Sequence, residues 1–119
     1  MRNTPESCDV AIIGAGPVGL FAVFECGMLE IGCQVFDALP APGGQCAALY
    51  PEKPIYDIPG YPRIGAAELV ERLIEQASPF APVFHLGQAV SGLTATEQGF
   101  VVENAAGLRV AARAVVIRS

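Results

Sequence analysis

The chain has 119 residues, 52% hydrophobic and 16% charged, with 13 glycines and 10 prolines. That length allows one domain or a piece of one, and the apolar content is too high for a disordered chain. Twelve acidic residues against seven basic ones give a net charge of -5, and the basic residues are scattered from Arg2 to Arg118, so no nucleic-acid surface is expected.

The apolar stretch Val10 to Phe24 has 15 uncharged residues and is broken by Gly14, Gly16, Pro17 and Gly19. A membrane span needs about 20 unbroken apolar residues, so no transmembrane helix is expected. Arg2 ahead of an apolar run mimics a secretory signal, but Glu6 and Asp9 lie where a basic region belongs. The four cysteines, Cys8, Cys26, Cys33 and Cys46, contain no C-x-x-C pair and no zinc spacing. Reduced thiols in a cytoplasmic protein are the simplest reading, with a disulfide framework as the competing one.

In chain order, Asp9 to Ile13 is a short apolar run that ends in glycine, a buried strand entering a turn. A helix follows from Pro17 to about Glu30, with proline at its start and Gly32 just past its end; Gly27 weakens it. Gln34 to Asp37 is a second strand. Strand, helix and strand within about 30 residues imply a parallel pair with a right-handed crossover. From Ala38 to Gly65 six prolines and four glycines make a long irregular loop, either ligand-contacting or partly disordered. Gly65 to Ala77 reads as a helix with Leu69, Val70, Leu73 and Ile74 on one face and Glu68, Glu71, Arg72 and Glu75 on the other. Val83 to His85 is a third strand. Ala89 to Thr94, Phe100 to Glu103 and Leu108 to Ala111 form a three-stranded antiparallel meander, and Ala114 to Ile117 is a further strand. The expected fold is α/β, a Rossmann-like βαβ parallel sheet with helices plus a small β-meander.

Gly14-Ala-Gly16-Pro17-Val-Gly19 is a G-x-G-x-x-G at the strand-to-helix junction. Gly14 permits the tight turn, Gly16 lets a pyrophosphate approach the backbone, and Gly19 lets helix and strand pack closely. The helix N-terminus supplies free N-H groups and positive partial charge to an anionic diphosphate. Asp37 ends the second strand 18 residues beyond Gly19, where an acidic side chain accepts hydrogen bonds from adenosine ribose hydroxyls and repels a 2'-phosphate. FAD and NAD both fit these two motifs. A glycine turn with no ligand and a solvated strand-end aspartate are the plainer alternatives.

The stretch Pro42-Gly-Gly-Gln-Cys-Ala-Ala-Leu-Tyr-Pro-Glu-Lys-Pro-Ile-Tyr-Asp-Ile-Pro-Gly60 is more specific. Together with Asp9 to Asp37 it resembles the ferredoxin/flavodoxin-NADP+ reductases of the thioredoxin-reductase-like type, and less closely thioredoxin reductase, both FAD enzymes. The resemblance implies that Gly14, Gly16, Pro17 and Gly19 hold the FAD pyrophosphate and Asp37 the adenosine ribose. It further implies that Gly44, Gln45 and Tyr50 contact FAD, with Tyr50 near the flavin, and that Val90 offers backbone groups at the adenine.

By the same resemblance residues 1–119 are the N-terminal part of an FAD-binding domain, without the inserted NADPH domain or the C-terminal part of the FAD domain. The implied partners are ferredoxin or flavodoxin, with a homodimer allowed, in the full-length enzyme. NADPH is its substrate, bound by the missing part. No catalytic acid, base or nucleophile and no metal site is expected in this segment. His85 reads as a core or rim residue and Cys46 as packing. A fragment of another pyridine nucleotide-disulfide oxidoreductase, a non-catalytic adenine-dinucleotide module and a structural remnant that self-associates remain as other readings.

Overall fold

The computed structural model describes residues 6–117, the side chains of Gln45 and Cys46 excepted. Strand β1 (Glu6–Ile13) leads into helix α1 (Pro17–Met28), then β2 (Cys33–Asp37), a short helix α2 (Gly44–Leu49) and the two-residue strands β3 (Pro54–Ile55) and β4 (Ile64–Gly65). Helix α3 (Ala66–Ala77) follows, then a 3-10 turn (Ser78–Phe80), β5 (Val83–Leu86), β6 (Val90–Thr96), β7 (Gly99–Asn104) and β8 (Arg109–Ile117).

Six strands form one sheet in the order β5-β2-β1-β8-β7-β6, and β3 and β4 form a separate antiparallel pair. The first half of the sheet is parallel: β2 lies on one side of β1 and β8 on the other, with β5 beyond β2. The expected βαβ unit is therefore present, its apolar strands buried because helices cover one face and the meander's residues the other. On the helix side Ile12, Ala15, Val23, Val35 and Ala77 form one core. On the opposite side Ala11 and Phe36 meet Val102, Val110 and Ala112.

The meander differs from its expected form in one respect. Leu108 to Ala111 and Ala114 to Ile117 are expected as separate strands, but β8 runs unbroken for nine residues. Its first half pairs antiparallel with β7, from Glu103 opposite Arg109 to Phe100 opposite Ala112. Along its whole length it pairs parallel with β1, from Glu6 opposite Val110 to Ile13 opposite Ile117. One strand thus belongs to both the parallel layer and the meander.

The proline-rich loop also holds more structure than its composition suggests. Gly44 to Leu49 forms α2, and the segment beyond is clipped by pairing of Ile55 with Ile64 and a bridge between Ile58 and Tyr61. Lys53 and Pro51 carbonyls accept from the amides of Ala66 and Ala67 at 3.0 and 2.8 Å, which ties the loop to the first turn of α3. Those two amides have no acceptor within their own helix, so the loop satisfies them.

Candidate dinucleotide-binding site

Gly14 to Gly16 connect the end of β1 to the start of α1, as the motif requires. Gly14 has φ +117°, a conformation that side-chain-bearing residues avoid. Its amide donates to the Phe36 carbonyl at 2.7 Å, anchoring the turn to the neighbouring strand. A Cβ on Gly19 would collide with the Gly14 carbonyl oxygen. Glycine at that position thus lets the first turn of α1 settle onto the strand end.

Gly16 is the N-cap of α1, with no side-chain cap, and Pro17 occupies the first turn. The first hydrogen bond of the helix runs from the Leu20 amide to the Gly16 carbonyl at 2.9 Å. The amides of Val18 and Gly19 therefore have no intrahelical acceptor and point out of the helix mouth. Pro17 and Val18 stand exposed at this mouth. It is a site of positive partial charge suited to an anion.

Across from the mouth stands the second glycine pair. Gly43 and Gly44 have φ of +127° and +79°, and a Cβ on Gly44 would lie 3.4 Å from the Gly16 Cα. The two segments, far apart in sequence, face each other backbone to backbone. They are locked through Ala15, which is fully buried. Its carbonyl accepts from the Gly43 amide at 2.7 Å, and its amide donates to Asp37 Oδ2 at 2.7 Å. Val70 of α3 backs the pair, since a Cβ on Gly43 would come within 3.1 Å of its methyl groups.

Asp37 ends β2 beside this turn. Its second carboxylate oxygen, Oδ1, accepts from the Leu39 amide at 2.9 Å. The side chain thus holds two backbone amides, one from the glycine turn and one from its own turn, while each oxygen keeps a lone pair for an incoming hydroxyl. This bracing role was not read from the sequence. The available signal was the aspartate followed two residues on by a turn, the pattern of an Asx-turn.

The remaining expected residues are placed less closely. Gln45 lies in α2, but its side chain is outside the described residues, as is that of Cys46. Tyr50, just after α2, is 65% exposed and with Pro51, Glu52 and Lys53 borders a shallow depression. Val90 begins β6 beside a register irregularity and is packed partly against the core. His85 Nε2 lies 2.7 Å from Gln34 Oε1, with its ring 4.8 Å from that of Phe36. It is a rim residue in a satisfied polar pair, away from the glycine turn. Among the described residues no group of three potential ligands could hold a metal ion.

The fold and the turn define a Rossmann-like α/β unit. No family model matches the chain. Similarity to individual proteins is nonetheless extensive: it is 56% identical over 117 residues to a ferredoxin–NADP reductase of Rhodospirillum rubrum, covering 88% of this chain and 34% of that protein. To a ferredoxin–NADP reductase of Paramagnetospirillum magneticum it is 61% identical over 110 residues, covering 92% of this chain and 33% of the relative. The chain therefore spans about a third of the length of these relatives. Among solved structures, a thioredoxin reductase from Streptococcus pyogenes superposes with a TM-score of 0.81 at 24% identity, over 96% of this chain and 35% of the other. One from Gloeobacter violaceus gives 0.76 at 27% identity, over 96% and 37%. The resemblance to ferredoxin–NADP reductases with a thioredoxin-reductase-like fold is borne out over the stretch present.

Proposed function

We propose that this chain is the FAD-holding portion of a ferredoxin–NADP reductase. The observation that carries the reading is the mouth of α1, capped by Gly16 with no side-chain cap and set backbone to backbone against Gly44. The residues fit the group. The Val18 and Gly19 amides would bind the pyrophosphate, Asp37 would accept from the ribose hydroxyls, and Gln45, Tyr50 and Val90 would approach the ring systems. When bound, FAD supplies the exchange between two-electron hydride chemistry and single-electron transfer. The chain's own part is binding and orientation; Asp37 keeps the glycine turn in its binding geometry through Ala15.

In a full-length enzyme NADPH would be the electron donor and ferredoxin or flavodoxin the acceptor, with both contacts made outside this segment. No helix among the described residues is long and apolar enough to cross a membrane. A cytoplasmic, reduced setting agrees with the three described cysteines, all free.

Titration of the purified chain with FAD, followed by flavin fluorescence and visible absorbance, tests the reading. Saturable quenching with a red-edge absorbance change is expected, competed by ADP. NADPH-dependent ferredoxin reduction by this chain alone is expected to be at background. Absence of any FAD effect on spectrum or melting temperature in folded protein would refute the reading.

A further inference from the structure

In the reading above Tyr50 approaches the flavin, yet no neighbour holds its ring. It is 65% exposed, and its side chain makes no hydrogen bond or ring contact among the described residues. The place of the ring is therefore set by the backbone that carries it. Pro51 limits α2 to the residues before Tyr50 and opens a turn closed by the Lys53 amide, which donates to the Tyr50 carbonyl at 3.0 Å. The turn is tied outward twice: the Pro51 carbonyl accepts from the Ala67 amide at 2.8 Å, and the Lys53 carbonyl from the Ala66 amide at 3.0 Å. Pro54, the next residue, pairs with Gly65. Helix α3 is itself seated in the core through Leu69, Val70 and Ala77, and Val70 also backs Gly43 at the other end of α2. One helix thus holds both ends of the α2 segment, the glycine pair and Tyr50.

We propose that the Ala66 and Ala67 amides are positioning groups for Tyr50: the first turn of α3 clamps the turn at 50–53 and so presents the phenol ring at a fixed distance from the flavin. The inference rests on the reading that Tyr50 lies at the flavin end of bound FAD. The clamp is made of main-chain groups alone, and the two alanines contribute only N-H groups that have no acceptor inside the helix. A ring carried on a freely moving loop would lose conformational entropy at each binding event, whereas a clamped one is ordered beforehand. What the clamp leaves exposed is an unpartnered aromatic face, free to stack on a ligand ring.

Ala66→Pro tests the clamp. Proline is favoured at the first position of a helix, and Gly65 ahead of it has φ -70° and ψ 149°, a conformation that suits a residue before proline. The variant therefore keeps α3 while deleting the N-H that meets Lys53. Without FAD, the amides of Lys53 and Ala67 are expected to exchange slowly in the wild-type chain and several-fold faster in Ala66→Pro. With FAD, the fluorescence lifetime of the bound flavin reports the nearby phenol, which quenches by electron transfer over short distances. It is expected to be short in the wild type, several-fold longer in Tyr50→Leu and lengthened in Ala66→Pro, with no further gain when the two are combined. A role of Ala66 in stability alone would leave that lifetime unchanged. Pro51→Gly, at an exposed site, loosens the same turn and is expected to lengthen the lifetime as well, so the test does not hang on one variant. Rapid exchange of the wild-type amides, an unchanged lifetime in the folded variants, or additive effects with Tyr50→Leu would each overturn the inference. A lifetime unchanged in Tyr50→Leu itself would instead remove the underlying reading of Tyr50, and the inference with it.

Discussion

Asp37 spends both carboxylate oxygens on backbone amides, those of Ala15 and Leu39. Asp37→Asn keeps the shape but turns one acceptor into a donor, leaving an amide facing an amide. Such a loss at a part-buried site costs about 1–3 kcal/mol. Urea unfolding is expected to show that loss together with weaker FAD binding; unchanged stability would mean that Asp37 acts on the ligand alone. Gly44→Ala acts differently. Its positive φ costs a side-chain-bearing residue about 1–2 kcal/mol, and the added methyl group would lie 3.4 Å from the Gly16 Cα, at the mouth of α1. FAD affinity is expected to fall by more than the loss in stability accounts for, read from titration and melting of the same sample.

Cys33 also sets a pH dependence. Its thiol is raised from 9.0 to about 12 in the folded chain by burial and by Cys26. The folded state therefore holds this proton more tightly than the unfolded chain, and the contribution is whole below about pH 9 and is lost as pH rises toward 12. Chemical denaturation between pH 8 and 11 is expected to show stability falling with pH, with a shallower fall in Cys33→Ser.

At the scale of elements, Gly27 shows why α1 tolerates a glycine in its last turns. The ring of Phe80 covers the helix there, and a Cβ on Gly27 would penetrate it; the same ring packs edge-on against Phe24 at 5.9 Å. Gly27→Ala gains about 1 kcal/mol of helix propensity but overpacks a site where overpacking costs about 1–3 kcal/mol. A lower melting temperature is expected. Phe80→Ala removes the obstacle, so Gly27→Ala is expected to be better tolerated in that background, and a double-mutant cycle reads the coupling.

These elements also show what the sequence makes legible. β1, α1 and β2 are readable because an apolar run, a proline start and three glycines each point to the same local structure. The apolar and charged faces of α3 fall as expected, Leu69 and Val70 buried and Glu68 paired with Arg72 at 3.2 Å on the outside. The continuity of β8 is not legible, because the alanines at 111, 112 and 114 with Arg113 between them look like a weak spot. They form a strand because β1 and β7 pair with it from both sides. The short helix α2 is hidden for a related reason: its flanking glycines and prolines signal loop, while contact of Gly43 with Val70 of α3 holds it in place. At the candidate site, Gly14, Gly16, Gly19 and Asp37 are legible from spacing. That Gly44 lies across from Gly16 is a tertiary fact no local pattern carries.

For the whole molecule, β8 joins the two halves of the sheet, so the meander and the parallel layer cannot separate without breaking it. Amide hydrogen exchange is expected to protect Val10 to Ile12 and Val110 to Ala112 to a common level, close to the global stability. Distinctly faster exchange in one of the two would show that the halves open independently. FAD bound across Gly16 and Gly44 would bridge segments held by different elements. It is therefore expected to raise the melting temperature of the whole chain and not of one region.

The pairing of Glu6 with Val110 and of Ile13 with Ile117 has a consequence during synthesis. As the polypeptide leaves the ribosome, β1 emerges first, yet its partner on one side is made only after the entire helical layer and three further strands. Until then an apolar strand waits with an open flank, and closure joins residues at opposite ends of this stretch, a slow event for a chain of this size. A nascent chain halted before residue 109 is thus expected to engage holding chaperones, and one released beyond residue 117 to let them go.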